Sequence, residues 1–290
     1  MFTQQLVNGL MLGSVYALIG IGYTLVFGVL RMLNLAHAFI FTSAPFVTFA
    51  LIGVGVAPML ALFLGVLSAA LLGALLYLVA FKPISPEHAL GGFVASLSFG
   101  IIIQVVIVNF YGSQPTKFPT LLNLPDLTLG NVILSGVQLG SLFISAILMI
   151  GLLYLINHSR FGRNIRAIAQ NQMAASLLGV AVPSAVVLVF CLSSALAGLA
   201  GIMVAMRFES IGAFMGDMYA IKALAIIIIG GLGDVRGAVF AGLLLGVCEV
   251  MFQAFAPPGW SEAFIWLFLI GVFLVRPEGI FGVGIKTREI

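Results

Sequence analysis

The sequence predicts an all-α polytopic membrane protein with eight to nine transmembrane helices, some of them interrupted. Hydrophobic residues fill 62% of the 290 positions, and charged residues only 7%. Soluble domains carry about 25% charged residues, so this chain cannot cover a water-facing surface and must use lipid as its main solvent. Apolar runs of roughly 20 residues recur along the length, each enough to cross the hydrocarbon layer as a helix. The alternating ten-residue segments of a membrane β-barrel are not seen.

Nine segments carry this reading in chain order: Leu6–Leu30, Leu35–Val56, Met59–Phe81, Gly92–Tyr111, Leu139–Asn157, Ala185–Met206, Ile221–Leu232, Ala238–Ala256 and Ala263–Val275. Seven are long apolar runs, and Ala263–Val275 is a shorter one. Ile221–Leu232, about twelve residues, is short for a crossing and reads as a half-helix or a re-entrant segment. The first run lacks the basic flank of a cleavable signal and is too long for one, so it is expected to remain as the first membrane helix.

The basic residues orient the chain. With nine crossings and the N-terminus outside, Arg31, Lys82, Arg160, Arg163, Arg166, Arg236, Arg276, Lys286 and Arg288 lie on the cytoplasmic side. Only Lys117, Arg207 and Lys222 then face out. This bias marks the inside of a membrane protein and places the C-terminus in the cytoplasm. The net charge of +3 is too small to suggest nucleic acid as a partner. Membrane lipid is the partner that the composition itself demands. The chain reads as a single transmembrane domain over 1–290, with a proline-bearing external loop at 112–138 and a basic internal loop at 158–184.

Polar and small residues inside the apolar runs are the candidates for function. Ser14, Tyr16, Tyr23, Thr24, Asn34 and His37 sit near the first helix break, where they either line an aqueous path or satisfy backbone groups at the break. Glu249 lies inside an apolar run, as a path residue or as an interhelical hydrogen-bonding group. Glu209 and Asp217 are expected to pair with the nearby Arg207 and Lys222. Gly230, Gly231, Gly233 and Gly237 mark a second break, with Asp234 placed to cap the helix that follows. Two separated breaks resemble the interrupted helices that form transporter sites, or the second is a plain tight cytoplasmic turn. The glycine steps Gly9/Gly13 and Gly242/Gly246, with the Ala197/Gly201 pair, suit close helix packing, within the chain or between copies.

The internal loop predicts a single amphipathic helix from Arg163 to Gly179. Ile165, Ala169, Met173 and Leu177 recur at i+4 on one face, while Arg163 and Arg166 lie off that stripe. Gly179, followed by Pro183, suits a helix stop. Such a helix lies on the lipid surface or inserts into a groove on a partner protein. No GxxxxGK[ST] occurs, and Gly282-Val283-Gly284-Ile285-Lys286-Thr287 has the wrong spacing for one. His37, His88 and His158 show no metal spacing, so no metal is expected. Cys191 and Cys248 read as buried small hydrophobes.

Five stretches, taken in order, resemble the LivH-type permease of branched-chain amino acid ABC importers, whose wider family also serves urea and short amides. They are Asn8-Gly9-Leu10 with Gly13-Ser14-Val15-Tyr16-Ala17-Leu18; Phe27-Gly28-Val29 with Asn34-Leu35-Ala36-His37; Gly162-Arg163-Asn164-Ile165-Arg166-Ala167 through Ala174–Val180; Gly230-Gly231-Leu232-Gly233 with Gly237-Ala238; and Arg276-Pro277-Glu278-Gly279-Ile280-Phe281-Gly282. The resemblance covers nearly the whole chain. After His37 the chain departs from the family: Ala38-Phe39-Ile40-Phe41 stands where members often carry Gly and then a polar residue.

The resemblance implies a type II ABC importer-like permease of a bacterial inner membrane, driven by ATP through alternating access. It implies a second, LivM-like permease subunit, two cytoplasmic ATPase subunits and an extracytoplasmic solute-binding protein as partners. ATP and magnesium would then sit on the ATPases, with no cofactor and no catalysis on this chain. It also implies that Gly162–Gly179 is the ATPase-coupling element, with Gly162, Arg163, Ile165, Arg166, Ala167, Ala169, Met173, Leu177 and Gly179 as its residues. A stand-alone secondary transporter or channel is the main rival. It needs a coupling-ion site, for which Glu249 is the one plausible acid. A polytopic membrane enzyme would need clustered acids or histidines, and the three histidines are scattered.

Overall fold

The computed structural model describes residues 2–84, 89–121, 125–129, 132–255, 257, 260–276 and 279–281. His88, Lys286, Arg288 and the stretch 282–287 singled out in the sequence lie outside the described residues. So do Pro277, Glu278 and Gly282 of the last family-like motif.

Eleven helices account for nearly all of the described regular structure: α1 (Phe2–Leu30), α2 (Ala36–Gly53), α3 (Pro58–Leu76), α4 (Ala89–Tyr111), α5 (Gly136–His158), α6 (Arg160–Gln170), α7 (Gln172–Leu177), α8 (Val182–Phe208), α9 (Met215–Gly230), α10 (Val235–Phe255) and α11 (Trp260–Val275). A π-helical turn, Tyr77–Phe81, continues α3. Seven of the helices are long and apolar enough to cross a membrane; α9 and α11 are apolar helices of 16 residues each.

The exposure pattern is that of a protein dissolved in lipid. Phe63, Leu71, Ile102, Ile147 and Leu267 are large, apolar and more than 60% exposed. The buried centre instead holds Ser14, Thr24, Asn34, His37 and Glu249. Without water, polar side chains and irregular backbone are tolerated only where protein surrounds them or a wet cavity receives them.

Helix α1 is the axis of the bundle and packs against α10, α8, α5 and α9. The glycine steps explain its closest contact. A methyl group at Gly9 would stand 2.7 Å from Val247 Cα, one at Gly13 2.8 Å from Leu243 Cα, and one at Gly242 2.5 Å from the Ala17 nitrogen. Both glycine steps are therefore used within the chain, between α1 and α10. Lipid offers no hydrophobic force to hold helices together, so close backbone approach must supply the dispersion contacts.

The two ends of the bundle differ. At one end, two short antiparallel ribbons form, β1 (Thr116–Lys117) with β4 (Ser210–Ile211) and β2 (Leu127–Leu129) with β3 (Val132–Leu134). Gln4 acts there as a surrogate strand partner: its Nε2 donates to Ile133 O and its Oε1 accepts from Ile133 N, both at 2.8 Å. The other end gathers the arginines. Arg31 Nη2 donates to Ala169 O at 3.5 Å, and Arg166 and Arg236 line one surface cavity with Asp234 and Phe281.

Helix α9 corrects the short sequence segment Ile221–Leu232. It begins six residues earlier, at Met215, just after the β4 ribbon, and ends at Gly230 in the basic end. At 1.5 Å per residue it covers about 24 Å. It runs from the ribbon end to the basic end without turning back. Its last carbonyls are capped from afar: Ile280 N donates to Ile229 O at 2.8 Å and Phe281 N to Gly230 O at 3.2 Å.

The second break is built as its glycines require. Gly231 and Gly233 have φ of 103° and 91°, and Gly230 and Gly237 meet backbone to backbone. Asp234 Oδ1 accepts from Arg236 N at 2.7 Å and from Gly237 N at 3.2 Å, which is the expected cap on α10.

Candidate functional site

A cavity of about 580 Å³, largely apolar but carrying a cluster of charged groups, opens near the ribbon end of the bundle. Four helices supply its polar wall: Tyr16 from α1, Arg207 from α8, Tyr219 and Lys222 from α9, and Glu249 and Gln253 from α10. The α1–α10 glycine contact brings Tyr16 within reach of Glu249. Lys222 Nζ donates to Glu249 Oε1 and to Tyr16 Oη, both at 2.7 Å. Tyr16 Oη donates in turn to Glu249 Oε2 at 2.8 Å, and Gln253 Nε2 to Glu249 Oε1 at 3.2 Å. The Lys222 ammonium also lies 5.1 Å and 5.6 Å from the ring centroids of Tyr16 and Tyr219. Both carboxylate oxygens and the ammonium are hydrogen-bonded in this small network, as a largely buried ion pair requires. Leu12, Val204, Met215 and Met218 make up much of the apolar wall.

Among the described residues Lys222–Glu249 is the one ion pair. This corrects the expected pairing of Arg207 and Lys222 with Glu209 and Asp217. Glu209 is instead the left-handed C-cap of α8, with φ of 48°, and its carbonyl accepts from Phe118 N beside the β1–β4 ribbon. Reasoning along the chain missed Arg207, Lys222 and Tyr219 as cavity residues. The signal was present in Lys222, a cation near the start of an apolar run, where a charge needs a functional or structural partner.

A second polar cluster lies deeper. Seven residues separate Tyr16 from Tyr23 on α1, about 10 Å along the axis. The rings of Tyr23 and His37 meet edge-on with centroids 4.4 Å apart. Ser193 Oγ donates to Gly22 O at 2.8 Å and stands 3.4 Å from His37 Nδ1. Tyr23 Oη, Thr24 Oγ1, both polar atoms of the Asn34 side chain, His37 Nε2 and Ser194 Oγ have no hydrogen-bond partner among the described residues. Buried polar atoms left this way are costly. Ser14 does not share this property. Its hydroxyl donates to Met11 O one turn back, at 2.8 Å, so its position is explained by its own helix.

The basic loop differs from the single helix expected over Arg163–Gly179. It forms two helices, because Asn171 breaks the run. Asn171 adopts extended backbone, and its side chain accepts from Ala174 N at 3.0 Å as the N-cap of α7. Ser159 caps α6 in the same way, accepting from Gly162 N at 3.0 Å. Gly162 lies directly against the backbone of Ile156, and Arg166 Nη1 donates to Ile156 O. The break divides the apolar stripe. Ile165 and Ile168 are buried against the bundle, and Ala167 and Ala169 are half-buried. Met173, Leu177 and Leu178 are 75–83% exposed. Arg163 is exposed on α6. Gly179, with φ of 84°, ends α7 as expected. The stripe therefore does two jobs: its first half anchors α6 to this chain, and its second half stands free.

No group of three or more metal-binding side chains occurs among the described residues. The geometry is that of a helical bundle with a charged cavity toward one end, unpaired polar groups at its centre and an outstanding apolar helix at the other end.

Comparison with known proteins agrees with this arrangement. The family model described as "Branched-chain amino acid transport system / permease component" matches residues 5–273. The high-affinity branched-chain amino acid transport system permease protein BraD of Pseudomonas aeruginosa is 32% identical, covering 97% of this chain and 96% of the relative. The corresponding permease protein LivH of Escherichia coli K12 is 31% identical with the same coverage. A probable branched-chain amino acid transport permease protein LivH of Methanocaldococcus jannaschii is 27% identical over 95% of this chain. The chain thus belongs to the permease components of branched-chain amino acid transport systems.

Proposed function

We propose that this chain is the membrane-spanning permease subunit of an ATP-driven importer for branched-chain amino acids. The observation that carries the reading is the match along almost the full length of permease relatives that belong to branched-chain amino acid transport systems. The whole chain acts as one membrane domain in a bacterial inner membrane. The ribbon end faces outward to a solute-binding protein, and the arginine-rich end and C-terminus face the cytoplasm. One of two ATPase subunits docks there on Met173, Leu177 and Leu178, which stand clear of this chain's own core. A second, homologous permease subunit completes the pathway.

In this mechanism the chain performs no bond chemistry. ATP and magnesium are bound and consumed on the ATPases, and closure of those subunits pushes α7. The rigid contacts of α6 with α5 pass the displacement to the bundle: Ile165 and Ile168 are buried, and Arg166 holds Ile156 O. The solute moves from the outer cavity past the central polar cluster, where the unpartnered side chains replace part of its hydration.

The test is reconstitution of this chain with its second permease and ATPase subunits in proteoliposomes. Labelled leucine uptake should require both ATP and loaded binding protein. Uptake driven by an ion gradient alone, with neither present, would instead establish a secondary transporter.

A further inference from the structure

The outer cavity holds one more cation than it has anions to neutralise. Lys222 is matched by Glu249 at 2.7 Å. Arg207 lines the same cavity from α8, only partly exposed, and among the described residues no carboxylate lies within ion-pairing distance of it. Its guanidinium carbon sits 5.5 Å from the Phe208 ring centroid, a contact that steadies the side chain and leaves its donors open. A half-buried guanidinium without a counter-ion is expensive to keep in a membrane bundle. It is the group best shaped to grip a carboxylate through two parallel hydrogen bonds.

The rest of the cavity suits the remainder of an α-amino acid. Ionised Glu249 has roughly four acceptor positions. Three are taken by Lys222, Tyr16 and Gln253, so acceptor capacity remains for an ammonium group. Leu12, Val204, Met215 and Met218 offer an apolar wall for a branched side chain. The volume of about 580 Å³ falls within the range of small-molecule pockets.

We propose that this cavity is a substrate station for an α-amino acid, with Arg207 binding the α-carboxylate. The proposal rests on the reading of the chain as an amino acid permease and adds the residue that recognises the substrate's charge. Recognition at this point reinforces selection by the binding protein: a solute lacking the carboxylate leaves the guanidinium unpaired and is disfavoured before it reaches the central cluster.

The experiment uses the complex of permease and ATPase subunits in lipid nanodiscs, without the binding protein. Saturation-transfer NMR compares leucine with leucinamide, which keeps the amine and side chain but lacks the carboxylate. Leucine should bind at least about tenfold more tightly, as expected for losing a bond to a charged group. Arg207→Gln should remove that preference, and Arg207→Lys should retain part of it. Equal binding of the two compounds by the unaltered complex overturns the proposal, as does an unchanged preference in the Gln variant. The unaltered-complex comparison needs no variant, so misfolding of Arg207→Gln leaves the test intact. ATP-driven leucine uptake by the same complex reconstituted in proteoliposomes with loaded binding protein separates the two readings. Uptake without ligand preference removes the Arg207 station alone; absence of uptake removes the importer reading.

Discussion

Lys222 Nζ lies 2.7 Å from Glu249 Oε1, tying the short helix α9 to α10 across the outer cavity. Their side chains are 13% and 5% exposed, so each is largely committed to the other. Removing one partner strands a charge in a poorly solvated place, whereas removing both does not.

Glu249→Leu or Lys222→Met alone should therefore lower stability by several kcal/mol, about 3–5 for a fully buried pair and less with the Lys222 side still partly wet. The double variant should recover much of that loss. Thermal melting of the purified complex checks this, and additive losses in the double variant would show that the two residues do not depend on each other.

The α1–α10 contact leaves no room for a side chain. Gly13→Leu or Gly242→Leu should cost more than the ~1–3 kcal/mol usual for overpacking, because backbone and not a flexible side chain stands in the way. Gly151→Ala, where nothing lies within 4 Å, should be close to neutral. Yield of folded protein and resistance to limited proteolysis report the difference; equal tolerance at the three sites would contradict the packing.

Asp234→Ala should weaken the start of α10 by ~1 kcal/mol, and Asp234→Ser should restore most of it. Hydrogen exchange at Arg236 and Gly237, whose amides the carboxylate accepts, is the direct readout. No change in exchange would mean that the cap carries no weight.

The divided stripe gives two different phenotypes from one sequence pattern. Ile165→Asp buries a carboxylate against the bundle and should reduce the amount of folded protein. Met173→Asp or Leu177→Asp, both on exposed positions, should leave the fold intact and reduce ATPase stimulation by loaded binding protein at least fivefold. Full stimulation in both α7 variants would remove α7 from the docking surface.

Much of this architecture was legible because lipid permits few solutions. Long apolar runs had to be helices, and the glycine steps had to be contacts. Asp234 ahead of Val235 read correctly as a cap. The Asn171 break was written in the sequence as well, since Asn followed three residues later by a free amide is a capping arrangement, but the i+4 stripe concealed it. The outer cavity was harder to see. Tyr16, Arg207, Lys222 and Glu249 come from four helices and are brought together only through packing, and no spacing rule connects Tyr16 with Glu249, 233 positions away. Pairing by proximity along the chain chose Glu209 and Asp217 for the two cations, whereas the bundle brings Lys222 to Glu249.

The caps that Ile280 and Phe281 place on α9 have a consequence for how the molecule is made. The carbonyls of Ile229 and Gly230 wait for donors synthesised about fifty residues later. Until then the short crossing helix ends in open hydrogen-bond acceptors, a poor arrangement inside or near lipid. These two caps on α9 can form only after α10 and α11 have emerged. Biogenesis would have a closing step: the end of α9 is capped by residues that follow α11.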